Sequence, residues 1–198
     1  EWGEWFEANE SLPTSMAWAP APGNHEYFEE FEDTPRERRV LGAHWPLQFA
    51  LPGNGAPGAE RTSYWFDYQD VRVAVIDGTS ALDLGTAQAQ ARWLDGVLAA
   101  SPHRWNIVVT HQPFYSPRAG RDNALLRKHL LPVIRRHAVD LVLQGHDHVY
   151  GRRLPGEAPT PVFVVSVAGA KQYRLSEQAQ RTMRPVAEDT QLFQVVRI

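Results

Sequence analysis

The sequence predicts an α/β sandwich, and three observations carry that expectation. Short β-branched runs alternate with longer stretches of helical period along the whole chain. Two of the runs, Ile107-Val108-Val109 and Leu141-Val142-Leu143, are continuously apolar, as strands covered on both faces must be. A third, residues 62–68, alternates and reads as a half-exposed antiparallel strand, so the sheets are expected to be mixed.

Taken in order, strands are expected at 16–20, 62–68, 71–76, 106–110, 140–144, 161–167 and 192–197. The Gly- and Pro-rich stretch 52–58 is a loop that could border a site. Residues 86–100 place Ala87, Ala91, Leu94 and Leu98 at helical spacing, with Trp93 and Val97 widening the stripe. Residues 123–137 form a second amphipathic pattern, which Pro132 should kink or restart as a new first turn. At 198 residues the chain is long enough for one well-filled domain and short for two, so residues 1–198 are read as one unit.

Composition narrows the function. With 43% hydrophobic and 22% charged residues the chain is globular rather than disordered, and no stretch approaches the ~20 apolar residues of a membrane span. A net charge of -3 argues against a nucleic-acid partner, which would demand a basic face. There is no cysteine, so disulfides, thiolate zinc sites and cysteine nucleophiles are excluded, and any metal must be held by nitrogen and oxygen. The opening residues carry neither a starting Met nor a signal-peptide pattern, and the chain is expected to begin inside a longer polypeptide.

Three segments carry the chemistry. Gly23-Asn24-His25-Glu26 follows the run 16–20; His111 directly follows 106–110; Gly145-His146-Asp147-His148 directly follows 140–144. Each thus lies past the carboxyl end of an expected strand, the edge where open α/β sheets gather ligands. In His146-Asp147-His148 the spacing of two turns both imidazoles to one side while Asp147 points away. Imidazole nitrogen and amide oxygen suit ions such as Zn, Mn, Fe or Co.

These segments resemble the last three signature motifs of the calcineurin-like metallophosphoesterases, in the family's order. His111-Gln112-Pro113-Phe114-Tyr115-Ser116, Tyr150-Gly151-Arg152-Arg153 and the Trp-rich opening are similar to the purple acid phosphatase branch. The resemblance implies a sandwich of mixed sheets flanked by helices, here without its first β-α-β unit. It implies a phosphoester hydrolase with two divalent or trivalent metal ions (Fe, Zn or Mn) and a bridging hydroxide, acting on a small phosphorylated substrate, with no nucleic-acid or membrane partner. Asn24, His111 and His146 would resemble the ligands of one ion and His148 a ligand of the other, with His25 protonating the leaving alkoxide. Two further family motifs, Asp-x-His (or Asp-x-Gly) and Gly-Asp, do not occur in the 23 residues before Asn24. Phosphodiester hydrolysis on the same centre, and a metal-poor binding module that does not turn over, therefore stay open beside a phosphomonoesterase. Relatives in this branch are often exported, which sets a secreted or periplasmic bacterial location as the expectation; oligomeric state is not written in the sequence.

The neighbouring residues have plainer readings as well. Glu26 is read as a first-turn carboxylate leading into a helical turn over 27–31, and Asp77 as a turn or cap residue with a stray-ligand role as the alternative. His44, Tyr115 and Tyr150 are candidates to line the substrate pocket, His44 with a packing role as its alternative. Arg152 and Arg153 read as a solvated edge, with contact to a substrate phosphate as the alternative, and His103, His129 and His137 as plain structure.

Overall fold

In a computed structural model, which describes residues 2–10, 16–154 and 161–198, the two apolar triplets lie at the centre of a seven-stranded sheet. Its strands are β3 (Tyr64–Tyr68), β4 (Val71–Ile76), β5 (Trp105–Thr110), β6 (Leu141–Gln144), β7 (Tyr150–Arg153), β8 (Val162–Val165) and β9 (Val186–Ala187), in the order β3-β4-β5-β6-β8-β7-β9. The inner four, β4, β5, β6 and β8, run parallel, while β3, β7 and β9 join antiparallel, so the sheet is mixed as expected. A separate antiparallel ribbon pairs β1 (Tyr27–Glu30) with β2 (Arg38–Leu41).

Helices cover one face. Ala74, Ile76, Val108, Val142 and Phe163 of the sheet pack with Leu94 and Leu98 of α4 (Ala87–Ala99), Leu126 of α5 (Ala124–His129) and Ile134 of α6 (Leu131–Arg136) in one apolar cluster. Pro132 sits in the first turn of α6 and restarts the helix, because its missing N–H is one that a first turn leaves unpaired anyway. The remaining helices are α1 (Trp2–Ala8), α2 (Trp45–Gln48), α3 (Gly78–Asp83) and α7 (Glu177–Thr182). Among the described residues no helix is long and apolar enough to cross a membrane.

Three local expectations are corrected. Residues 16–20 and 192–197 belong to no strand. Both are apolar, and both lie along the sheet face opposite the helices: Met16–Ala19 side chains line a groove with Tyr64, Phe66 and Val73, and residues 194–198 line one with Ile107, Leu141 and Val164. The run 27–31 is not helical but is β1, because Glu29 and Glu30 stand opposite Arg39 and Arg38 and pair with them at 2.8 and 2.6 Å.

Candidate functional site

Register assembles the site. Ile76 stands opposite Thr110 and Thr110 opposite Gln144, so the next residues, Asp77, His111 and Gly145, form a row along the carboxyl edge of the parallel strands. The Gly145 N–H donates to the His111 carbonyl at 3.0 Å, extending that row one step beyond the ladder.

Asn24 reaches the row from a short 3-10 turn, Asn24–Glu26, whose Glu26 carboxylate accepts the Gly23 N–H at 2.6 Å. Asp77 ties this turn to the sheet edge. One of its carboxylate oxygens caps α3 through the Ser80 N–H at 2.9 Å, and the other accepts the hydroxyl of buried Tyr27. Burial, and then the Asp77 charge, push the Tyr27 hydroxyl far above its ordinary pKa, so it stays a donor. The cap reading of Asp77 holds: one oxygen takes the Ser80 N–H and the other the Tyr27 hydroxyl.

Three donor atoms converge. His111 Nε2 lies 3.1 Å from Asn24 Oδ1 and 2.9 Å from His146 Nδ1, with the two rings edge to face at 4.8 Å. Burial, followed by the charges of His25, His148 and Arg121, lowers the His111 pKa to about 4. Burial, followed by His111 and Arg121, lowers that of His146 to about 3. Both imidazoles are therefore neutral near pH 7, the form that offers a lone pair to a metal. His146 adopts φ +68°, a left-handed backbone that costs an ordinary side chain about 1–3 kcal/mol and gathers at functional sites. Gly23 is required for the approach, since a Cβ there would stand 2.9 Å from His111 Cε1.

Asp147 points away from the trio, as its place between two histidines predicts. It is fully buried and accepts from Arg121 Nε at 2.6 Å and from the Ser116 hydroxyl. His148 stacks on Tyr173 at 4.9 Å, and its Nδ1 is buried without a hydrogen-bond partner. Burial first, then the Lys171 charge, pushes the His148 pKa down. That orphaned nitrogen and the Asn–His–His trio fit metal ions as donors. Among the described residues, no group of three or more His, Cys, Asp or Glu side chains stands in metal-holding geometry.

His25 is exposed and faces a cavity that it shares with His44, Trp2, Trp5, Phe28 and Trp45. Of the other pocket candidates, Tyr115 packs its ring against Phe163 at 5.0 Å and under Arg153 at 4.2 Å. Tyr150 lines the groove on the open sheet face with Arg152 and Leu141.

Sequence reasoning missed Arg39 and Arg121. Both line a polar cavity with Asn24, His146, Gln112 and Asp83. Arg39 is tied to Asp83 and, at 2.8 Å, to Glu29. The terminal nitrogens of Arg121 have no protein partner among the described residues. The segment 117–123 has no periodicity to mark it; its charge was the available signal.

The chain belongs to the calcineurin-like phosphoesterase family, whose profile matches residues 1–150. Within that family it is purple acid phosphatase-like. It is 22% identical over 197 residues to purple acid phosphatase 21 of Arabidopsis thaliana, covering 94% of this chain and 44% of the relative. An uncharacterized protein of Mycobacterium tuberculosis is 31% identical over 171 residues, 78% of this chain and 31% of its own length. The purple acid phosphatase PPD1 of yellow lupin seeds shares the fold, with a TM-score of 0.73 at 19% identity over 95% of this chain and 37% of that one. The chain spans less than half the length of these relatives.

Proposed function

We propose that this chain contributes to a phosphomonoesterase site in which Asn24 Oδ1, His111 Nε2 and His146 Nδ1 hold one metal ion and His148 Nδ1 helps hold a second, each of them Fe, Zn or Mn. The observation that carries this reading is the convergence of one amide oxygen and two neutral imidazole nitrogens from segments 87 and 35 residues apart. The chemistry supplied by ions so held is Lewis-acid polarisation of phosphoryl oxygens and activation of water.

The chain's own residues do the rest. Arg121, fixed through Nε by buried Asp147, directs its free terminal nitrogens at phosphoryl oxygens and offsets their charge. His25, exposed on the neighbouring cavity, gives its proton to the departing alkoxide oxygen. The strained His146 backbone is tolerated because packing around Asp147 holds it.

Two variants test this. With metal added, His25→Ala is expected to keep its metal content and to turn over an aryl phosphate about 10²–10⁴-fold more slowly. His146→Ala is expected to lose metal, read by plasma mass spectrometry after gel filtration. Equal metal loss in both variants refutes the role given to His25, and a metal-loaded chain that turns over nothing favours a non-catalytic binding module. Faster turnover of a bis-aryl than of a mono-aryl phosphate shifts the reading to a phosphodiesterase.

A further inference from the structure

The polar cavity with Asn24 and Arg121 and the cavity with His25 meet at one turn, Asn24–Glu26, and their walls differ sharply. The second, about 490 Å³, is walled by Trp2, Trp5, Phe28 and Trp45. Its frame is set in advance. Trp45 is 3% exposed and donates its indole N–H to the Arg61 carbonyl at 3.0 Å. The Trp2 ring lies 6.3 Å from Trp45 and 5.5 Å from Phe49, and the Trp5 ring 5.0 Å from Trp18 and 6.0 Å from Phe49. Phe28, by contrast, is 50% exposed, an apolar ring left in the open at the cavity edge.

We propose that this cavity receives the aromatic part of the substrate's alcohol, so that the preferred substrates are phosphoesters whose leaving group carries an aromatic ring. The inference rests on the phosphoesterase reading above and names its substrate class. Position makes the argument: a group that protonates the leaving oxygen must sit beside the leaving alcohol, and His25 is on this aromatic wall. Size agrees, because an apolar cavity of about 150 Å³ already accepts benzene. Ring faces and edges gain from offset or edge-to-face contact with such walls. Charge separates an aromatic ring from a quaternary ammonium group, which aromatic walls also attract. One oxygen of the Glu26 carboxylate, the single acidic group among the described residues of this wall, accepts the Gly23 N–H at 2.6 Å, and the imidazoles of His25 and His44 offer nitrogen donors or acceptors to a neutral alcohol.

The test uses inhibitors whose affinity does not depend on leaving-group acidity. On the metal-loaded chain, phenylphosphonate is expected to inhibit about tenfold or more tightly than methylphosphonate, and Phe28→Ala to shrink that ratio severalfold. On the metal-free chain, phenol is expected to quench tryptophan fluorescence saturably and phosphocholine is not. Equal inhibition by the two phosphonates while phenyl phosphate is still hydrolysed overturns the subsite and leaves the phosphoesterase reading intact. Saturable phenol binding on a chain that hydrolyses no phosphoester overturns the substrate assignment and the phosphoesterase reading with it. Tighter binding of phosphocholine than of phenylphosphonate overturns the aromatic assignment alone.

Discussion

Replacing Gly23 with alanine places a methyl group 2.9 Å from His111 Cε1 and 3.0 Å from both ring nitrogens, where ordinary contact begins near 3.4 Å. The backbone is indifferent, since φ at Gly23 is -100°, so the whole effect is steric. The ring has little room to yield on one side, where His146 Nδ1 stands 2.9 Å from its Nε2. Overpacking of this kind costs about 1–3 kcal/mol. In a chain of this length that corresponds to a fall of ~2–4 °C in melting temperature per kcal/mol. Gly145 supplies the contrast, because a Cβ there lies 3.6 Å from His111 Nδ1 and 3.7 Å from its carbonyl, which is ordinary contact. Gly145→Ala should therefore be neutral or slightly stabilising through reduced freedom of the unfolded chain. Thermal unfolding of both variants, with Co(II) titration followed by absorbance, checks the pair. Equal melting temperatures and equal Co(II) affinities for the two variants would falsify the packing argument.

Two further outcomes are expected. Asp147→Asn removes a fully buried charge that Arg121 and Ser116 both contact, and should cost about 3 kcal/mol in urea unfolding, with part recovered when Arg121→Gln is added; a loss below ~1 kcal/mol contradicts the clamp. Asp67 accepts from Arg72 Nε and Nη2 at 2.8 Å each, and these hydrogen bonds, helped by His103, hold its carboxyl at about 2 against an ordinary 3.8. A carboxyl lowered on folding contributes stability that is fully present above pH ~4 and is lost as pH falls towards 2. Urea midpoints measured from pH 5 to 2 should accordingly fall less steeply in Asp67→Asn than in the parent chain.

The sheet was legible because its inner strands need apolar, β-branched residues on both faces. β5 and β6 announce themselves in this way through their apolar triplets, and the helical period of 86–100 and the Pro132 restart are equally local signals. The ribbon β1–β2 was hidden because Glu-Arg pairs across the strands, rather than an apolar alternation, hold it together. The same division runs through the site. His111 and His146 are placed by the ends of β5 and β6, and the outward turn of Asp147 follows from alternation, so these three could be read in order, whereas Asn24 sits on a 3-10 turn that no strand precedes among the described residues. Arg121 owes its position to a buried carboxylate 26 residues away, and Tyr115 to Phe163 on a distant strand, contacts that no local pattern encodes.

The distances along the chain have a kinetic meaning. Asn24 meets His111 across 87 residues, and the Tyr27–Asp77 bond that steadies its turn spans 50. Closing loops of that length costs more entropy than the parallel pairing of β5 with β6, so these contacts are expected to follow it. A half-folded chain therefore has scattered imidazoles but no cluster, and anything the trio holds recognises the finished protein alone. Its ligand would act as a brake on unfolding rather than as a guide to folding, lengthening the life of the native chain in proportion to occupancy.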